Sequence, residues 1–339
     1  MLVAWPLVQP AQLPTFAVIG ETVVDLFDPG DGSACLARPG GSPLNVAVGL
    51  ARLGNPTAFV GRLSRDPLGT VLSRHLERSG VGTAHVVRTA EPSTMALVEL
   101  SGGQPRYEFS VEGTADFQWS PEEVSVLPAG VGAVHFGSLG SWLPPGDEVV
   151  NQRIARLHAD GSVLISYDPN ARSALQGEAA AARAKVRRSA ALAHVIKASA
   201  EDVGWLYSTD NPAPVAGEWL GQGAGLVVIT AGAKGATAWV PGLPPVTRPA
   251  IPAPVVDTVG AGDAFMSGLL DALARRGLAS PRALAALAEP GDAATLAAVV
   301  DDAALVAAIT CGRVGADPPT RAEVDAFRAQ FSGDLTPGA

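Results

Sequence analysis

In the stretch DTVGAGDAFMSGLL, Asp257 to Leu270, two glycines and an aspartate stand immediately before an apolar helical face of Ala264, Phe265, Leu269 and Leu270. A helix N-terminus presents unpaired backbone N–H groups and a partial positive charge. Gly260, Ala261 and Gly262 carry nothing larger than a methyl, so an anion can approach the backbone itself. Asp263 falls in the first turn, where spacing alone supports two readings. It is either a capping carboxylate worth about 0.3–1 kcal/mol or a group that does chemistry beside the bound anion.

A second constellation lies far upstream, in RPGGSPLNVAVGLARLG, where Gly40 and Gly41 precede Asn45 at another helix start. A polar Asn45 among apolar neighbours either bonds local backbone or faces a ligand. The elements around these residues are legible. FAVIG (16–20) and TAFVG (57–61) are short apolar runs suited to buried parallel strands. Between them Leu44, Ala47, Leu50 and Ala51 recur at helical spacing, with Ser42 expected as the cap, Pro43 in the first turn and Gly54 at the end. Strand and helix then alternate through PLGTVLSRHLERSG, AVHFG, VLISYD, HVIKAS, AEDVGWLY and GLVVIT, which predicts a largely parallel sheet covered by helices on both faces. TVVDLFDPG and TMALVELSGGQPRYEFSVEG break the rhythm. The second alternates with a two-residue period on both sides of SGGQ, the pattern of a β-hairpin inserted as a flap.

Composition narrows the chemistry. The 339 residues are 47% hydrophobic and 17% charged, a globular balance, and no stretch offers the roughly 18 uninterrupted apolar residues of a membrane helix. A formal charge of -9 with only Lys185, Lys197 and Lys234 as lysines disfavours a polyanion-binding face, so no nucleic-acid partner is expected. Cys35 and Cys311 make no disulfide framework, the five histidines have no metal-ligand spacing, and the cytoplasm is the expected location. No Gly-Lys pair exists, which removes a Walker phosphate loop, and VIGETVVDLF has one glycine where a dinucleotide fold needs three.

Together the two glycine stretches resemble the signatures of the ribokinase-like, or PfkB, carbohydrate kinases, from Phe16 to about Pro319. The resemblance implies a three-layer α/β/α sandwich with a mostly parallel central sheet and a small β-sheet lid. Residues 1–14 would be an N-terminal extension and 15–320 the kinase domain, with lid strands inserted at about 22–40 and 93–118; 321–339 would form a C-terminal helix and tail. In that family the GG-x-x-x-N stretch binds the sugar, and the segment reading GAGD here forms an anion hole with its last residue as catalytic base. By resemblance Gly40, Gly41 and Asn45 meet the sugar, the backbone of Gly260, Ala261 and Gly262 meets the γ-phosphoryl group, and Asp263 takes the proton of a sugar hydroxyl. Asp25 would hold sugar hydroxyls, and Tyr107 and Phe109 of the lid would set specificity. TAGAKGA would bring Thr230, Gly232 and Gly235 to the nucleotide phosphates, and DPNAR would bring Asn170 and Arg172 to the phosphate or magnesium region.

Two segments depart from the family pattern. KASAED replaces the usual N-x-x-E, leaving Lys197 and Ser199 beside the nucleotide and Asp202 to order magnesium-bound water. GRLSRDPLG lacks a glycine and an aromatic. CGRVGADPP resembles the adenine loop, where Gly315 would join Asp257 and Val259 around a monovalent cation, K+ in some relatives. The expected activity is transfer from magnesium ATP to a primary hydroxyl of fructose. Ribokinase, 2-keto-3-deoxygluconate kinase and nucleoside kinase are the alternatives, and a sugar-binding regulatory protein without turnover is the reading from a different class. A homodimer through the lid is the expected assembly.

Overall fold

The computed structural model describes residues 13–28, 35–101, 104–288 and 292–333. The expected extension and tail, and the tip of the SGGQ hairpin, fall largely or wholly outside them. The apolar runs become strands covered on both faces: in β1 (Thr15–Ile19) and β9 (Leu164–Asp168) nearly every residue is buried. Between these come β2 (Val23–Asp28), β3 (Leu36–Gly40), β4 (Thr57–Ser64), β5 (Gly82–Thr89), β6 (Met95–Ser101), β7 (Gln104–Ser110) and β8 (Val131–Gly137). After them come β10 (Val195–Ser199), β11 (Leu226–Thr230), β12 (Ala236–Trp239) and β13 (Val246–Arg248).

Nine of these strands form one sheet in the order β13-β12-β11-β10-β9-β8-β1-β4-β5. It is parallel from β5 to β11; β12 runs antiparallel to both of its neighbours. One face is closed by a core that includes Leu44, Leu50, Phe59, Leu269 and Leu273, the other by Phe136, Ile154, Val186 and Trp219. Helix Ala293–Cys311 is long and apolar enough to cross a membrane. It carries Asp301 and Asp302, however, and buries Leu296, Val299, Val300 and Ala303 in the first of these cores. The strand order reverses at β1, with β4 on one side and β8 on the other. A crevice at the C-terminal ends of the strands opens at such a switch point.

The remaining strands make a separate sheet, β3-β2-β6-β7, with β2 parallel to β6 and the β6/β7 hairpin antiparallel. This lid packs on the body through Val23, Ala96, Phe117, Leu139 and Trp142. Its roots converge on one carboxylate. Asp116 accepts the Thr22 N–H at 2.7 Å and the Thr22 hydroxyl at 2.9 Å before β2, and the Thr94 hydroxyl at 2.6 Å before β6. Thr114, just after β7, bonds Thr94 at 2.7 Å. Burial pushes the Asp116 carboxyl up to about 6 against these donors.

Candidate active site

The helix of the GAGD stretch, Ala261–Arg275, starts from Gly260 in the left-handed conformation, φ 73°. A side chain there would strike Ala316, whose Cβ lies 2.5 Å from the position a Gly260 Cβ would take. The Ala261 N–H donates to Thr258 O at 3.2 Å, whereas the N–H groups of Gly262 and Asp263 have no acceptor among the described residues. The Gly260 N–H has no acceptor among the described residues either, so of the expected Gly260–Gly262 donors Ala261 alone is engaged within the protein. Beneath them lies Lys197, its Nζ 3.0 Å from where a Gly262 Cβ would stand, so a methyl would crowd it. Lys197 is buried and donates to Asp168 Oδ2 at 2.6 Å. Burial alone would pull its ammonium down, but Asp168 outweighs that and holds it protonated. Backbone dipole and ammonium thus act on the same spot.

The second glycine stretch meets this helix directly. Gly41, φ 100°, takes the N-cap position of helix Ser42–Arg52, because the chain there runs against the backbone of Glu21, Thr22 and Val23, about 3.0 Å from the position of a Cβ. Ser42 is therefore not the expected cap. It is the first helical residue, and its Oγ donates to Asp263 Oδ1 at 2.6 Å. Asn45 Nδ2 donates to Asp263 Oδ2 at 2.8 Å. Behind these bonds Gly49 faces Ser267 so closely that a methyl would overlap its hydroxyl. At this crossing Gly49 adds no side chain of its own, and that of Ser267 fills the space.

Asp25 lies on β2 with Gly40 so near that any side chain on Gly40 would collide with its carboxylate. Burial pushes the Asp25 carboxyl up to about 6, the Arg172 charge pulls it down, and Asp263 adds to the rise. Arg172 itself is exposed, beside Asn170, whose Nδ2 donates to Ser138 Oγ at 3.1 Å. Phe109 packs among the lid–body apolar residues, while the side chain of Tyr107 lies outside the described residues.

The residues expected on the nucleotide side gather at the ends of neighbouring strands. Ser199 and Thr230 are register partners on β10 and β11. Gly235, φ 91°, leaves no room for a Cβ against Arg248 O, and Gly232, φ 55°, faces open space. Ser199 and Asp202 form a reciprocal capping box, and Asp202 Oδ1 accepts the Ala171 N–H at 2.9 Å, tying the DPNAR loop to that helix start. Among the described residues no group of three or more His, Cys, Asp or Glu could hold a metal. A divalent ion here would be held mainly by nucleotide phosphates, with Asp202 reaching it through water. Asp257 accepts the Val259 N–H at 3.0 Å and the Gly315 N–H at 2.8 Å, so these three residues share one loop junction.

Sequence reasoning missed Asp168, Ser42 and Glu21. The buried Glu21 accepts the Gly140 N–H at 2.9 Å and is pushed up to about 7 by burial. Asp168, the last residue of its strand and two before Asn170, offered a positional signal; the other two offered none.

A model of the pfkB family carbohydrate kinases matches residues 14–323. The fructokinase of Rhizobium leguminosarum bv. trifolii is 37% identical over 247 residues, 73% of this chain and 75% of that protein. Among solved structures, the fructokinase of Xylella fastidiosa with bound ATP superposes with a TM-score of 0.84 at 27% identity, covering 94% of this chain and 99% of that one. A double mutant of the Vibrio cholerae O395 fructokinase, with fructose, ADP and potassium ion bound, gives 0.79 at 28% identity, covering 93% and 98%. With a family match over nearly its whole described length and a fold shared with kinases of that kind, this chain belongs to the pfkB family of carbohydrate kinases.

Proposed function

We propose that the protein transfers the γ-phosphoryl group of ATP to a primary hydroxyl of fructose. The observation that carries the reading is the junction of the two helices, where Asp263 sits beside open backbone donors and is oriented by Ser42 and Asn45. Asp263 accepts the proton of the attacking hydroxyl. The N–H groups of Gly262 and Asp263, with Lys197 below, meet the charge of the phosphoryl oxygens, and a donor of this kind is worth about 3–4 kcal/mol. Asp25, the Gly40–Gly41 backbone and Asn45 align the sugar; Asn170 and Arg172 face the transferred phosphate. Thr230, Ser199 and the turn at Gly232 border the nucleotide. Bound magnesium would neutralise the phosphates, with Asp202 ordering its water. The Asp257, Val259 and Gly315 junction suits a potassium ion, an ion present in the structure of the Vibrio relative. Exposed Leu36 and Leu97 support dimerisation through the lid, and the two free cysteines support a cytoplasmic location.

The test is kcat/KM for fructose, ribose, 2-keto-3-deoxygluconate, fructose 6-phosphate and adenosine with coupled ADP detection. Fructose is expected to lead. A tenfold advantage for any other acceptor, about 1.4 kcal/mol of transition-state preference, would overturn fructose and leave the kinase. No ADP with any acceptor would favour the regulatory reading.

A further inference from the structure

Arg38 has no part in the roles assigned above, yet it stands in the same crevice. On the antiparallel β2/β3 pair it is the register partner of Asp25, so the two side chains leave the same face of the lid. Phe27, two residues along β2, shares that face, and the Arg38 guanidinium carbon lies 5.5 Å from the centre of its ring. The other end of the side chain crosses to the body. Its Nη1 lies 2.9 Å from where a Gly315 Cβ would stand, so a side chain there would displace the guanidinium. Gly315 is tied to Asp257, and the next residue, Ala316, lies against Gly260. The half-buried guanidinium is thus two contacts from the anion-binding helix start, and it has no hydrogen-bond or ion-pair partner among the described residues.

We infer that Arg38 contacts the phosphoryl group in transit and closes the anion site from the lid side. The inference rests on the sugar-kinase reading of the site. Gly262, Asp263 and Lys197 approach from the body, and Asn170 and Arg172 from the DPNAR loop, so none of these donors is carried on the lid. Charge in this transfer is spread over three equatorial oxygens, so donors are needed on more than one side. A guanidinium suits that position because its planar fork can bond two oxygens at once. Stacking on Phe27 holds it ready without spending an N–H on the protein.

The experiment is steady-state kinetics of Arg38→Ala and Arg38→Lys with fructose and magnesium ATP, alongside fructose binding followed by tryptophan fluorescence and thermal unfolding. Arg38→Ala is expected to melt with the wild type and to lose kcat by about 10- to 100-fold, the range for a charged hydrogen bond. Its fructose dissociation constant should stay within about threefold of wild type, and millimolar guanidinium should restore part of its kcat but none of that lost by an Asp263 variant. Arg38→Lys, which keeps the charge without the fork, should fall between. An unchanged kcat with weaker fructose binding would make Arg38 a sugar ligand and overturn the inference. Wild-type values throughout would reduce it to a packing contact on Gly315. If the wild type itself phosphorylates no sugar, the kinase reading fails first and takes the inference with it.

Discussion

Replacing Asp263 by Asn exchanges one carboxylate oxygen for an NH2 of nearly equal size. The carboxylate accepts from Ser42 Oγ at 2.6 Å and from Asn45 Nδ2 at 2.8 Å. In the variant the amide oxygen keeps the bond from Asn45, and the new NH2 faces Ser42 Oγ, a hydroxyl able to rotate and accept. Both contacts persist as neutral bonds, roughly half as strong as the charged ones. The stability loss is therefore about 1–2 kcal/mol. Turnover responds differently, since an amide cannot take the sugar proton. Losing a general base costs about 10²–10⁴ in rate, or about 2.7–5.5 kcal/mol of barrier. The measurement pairs single-turnover ADP formation at saturating fructose and magnesium ATP with calorimetric ATP binding, which should stay near wild type. A kcat within about threefold of wild type would falsify the assignment of Asp263 as base, given the smallest loss expected.

Other outcomes follow from the same geometry. Because the Asp25 carboxyl lies near 6 in the folded protein, it gains a proton as pH falls through that value and loses its charge as a sugar ligand. kcat/KM for the sugar should fall on the acid side of about pH 6, and Asp25→Asn should lower the plateau and remove that limb; an unaltered limb would point to another group. Asp116→Ala leaves the buried Thr22 N–H without an acceptor, and a loss of about 1–3 kcal/mol is expected, read by denaturant unfolding with faster amide exchange at Thr22. A variant as stable as the wild type would show that the lid roots hold without Asp116.

The alternation of strands and helices was legible because strands covered on both faces are apolar along most of their length, as in FAVIG and GLVVIT. The β6/β7 hairpin showed in its two-residue period. β5 did not show, and β3 was expected only through the resemblance, within the lid strands at about 22–40. LARPG carries a proline and a glycine and only five residues, and GTAHVVRT is a half-exposed edge strand with polar residues on both faces. The site was legible where local backbone demands expose it, at the glycines before each helix. It was not legible where a partner lies far along the chain: Ser42 has the residue type of a cap, and only the approach of Asp263, 221 residues away, gives its hydroxyl another use. Asp116 reaches Thr22 across 94 residues, and no local pattern records that distance.

The contact of Gly49 with Ser267 has a consequence for how this enzyme can diverge. With only the Ser267 side chain seated against Gly49, the two helices cross closely, and the spacing of the proposed base, orienting amide and orienting hydroxyl is set by that crossing and by the bonds across it rather than by what lies above them. Two groups proposed to meet the acceptor, Asp25 and Phe109, are carried instead on the strands of the lid. A lineage can therefore exchange lid residues and try new acceptors while inheriting working phosphoryl chemistry, whereas any enlargement at Gly49 would disrupt both at once.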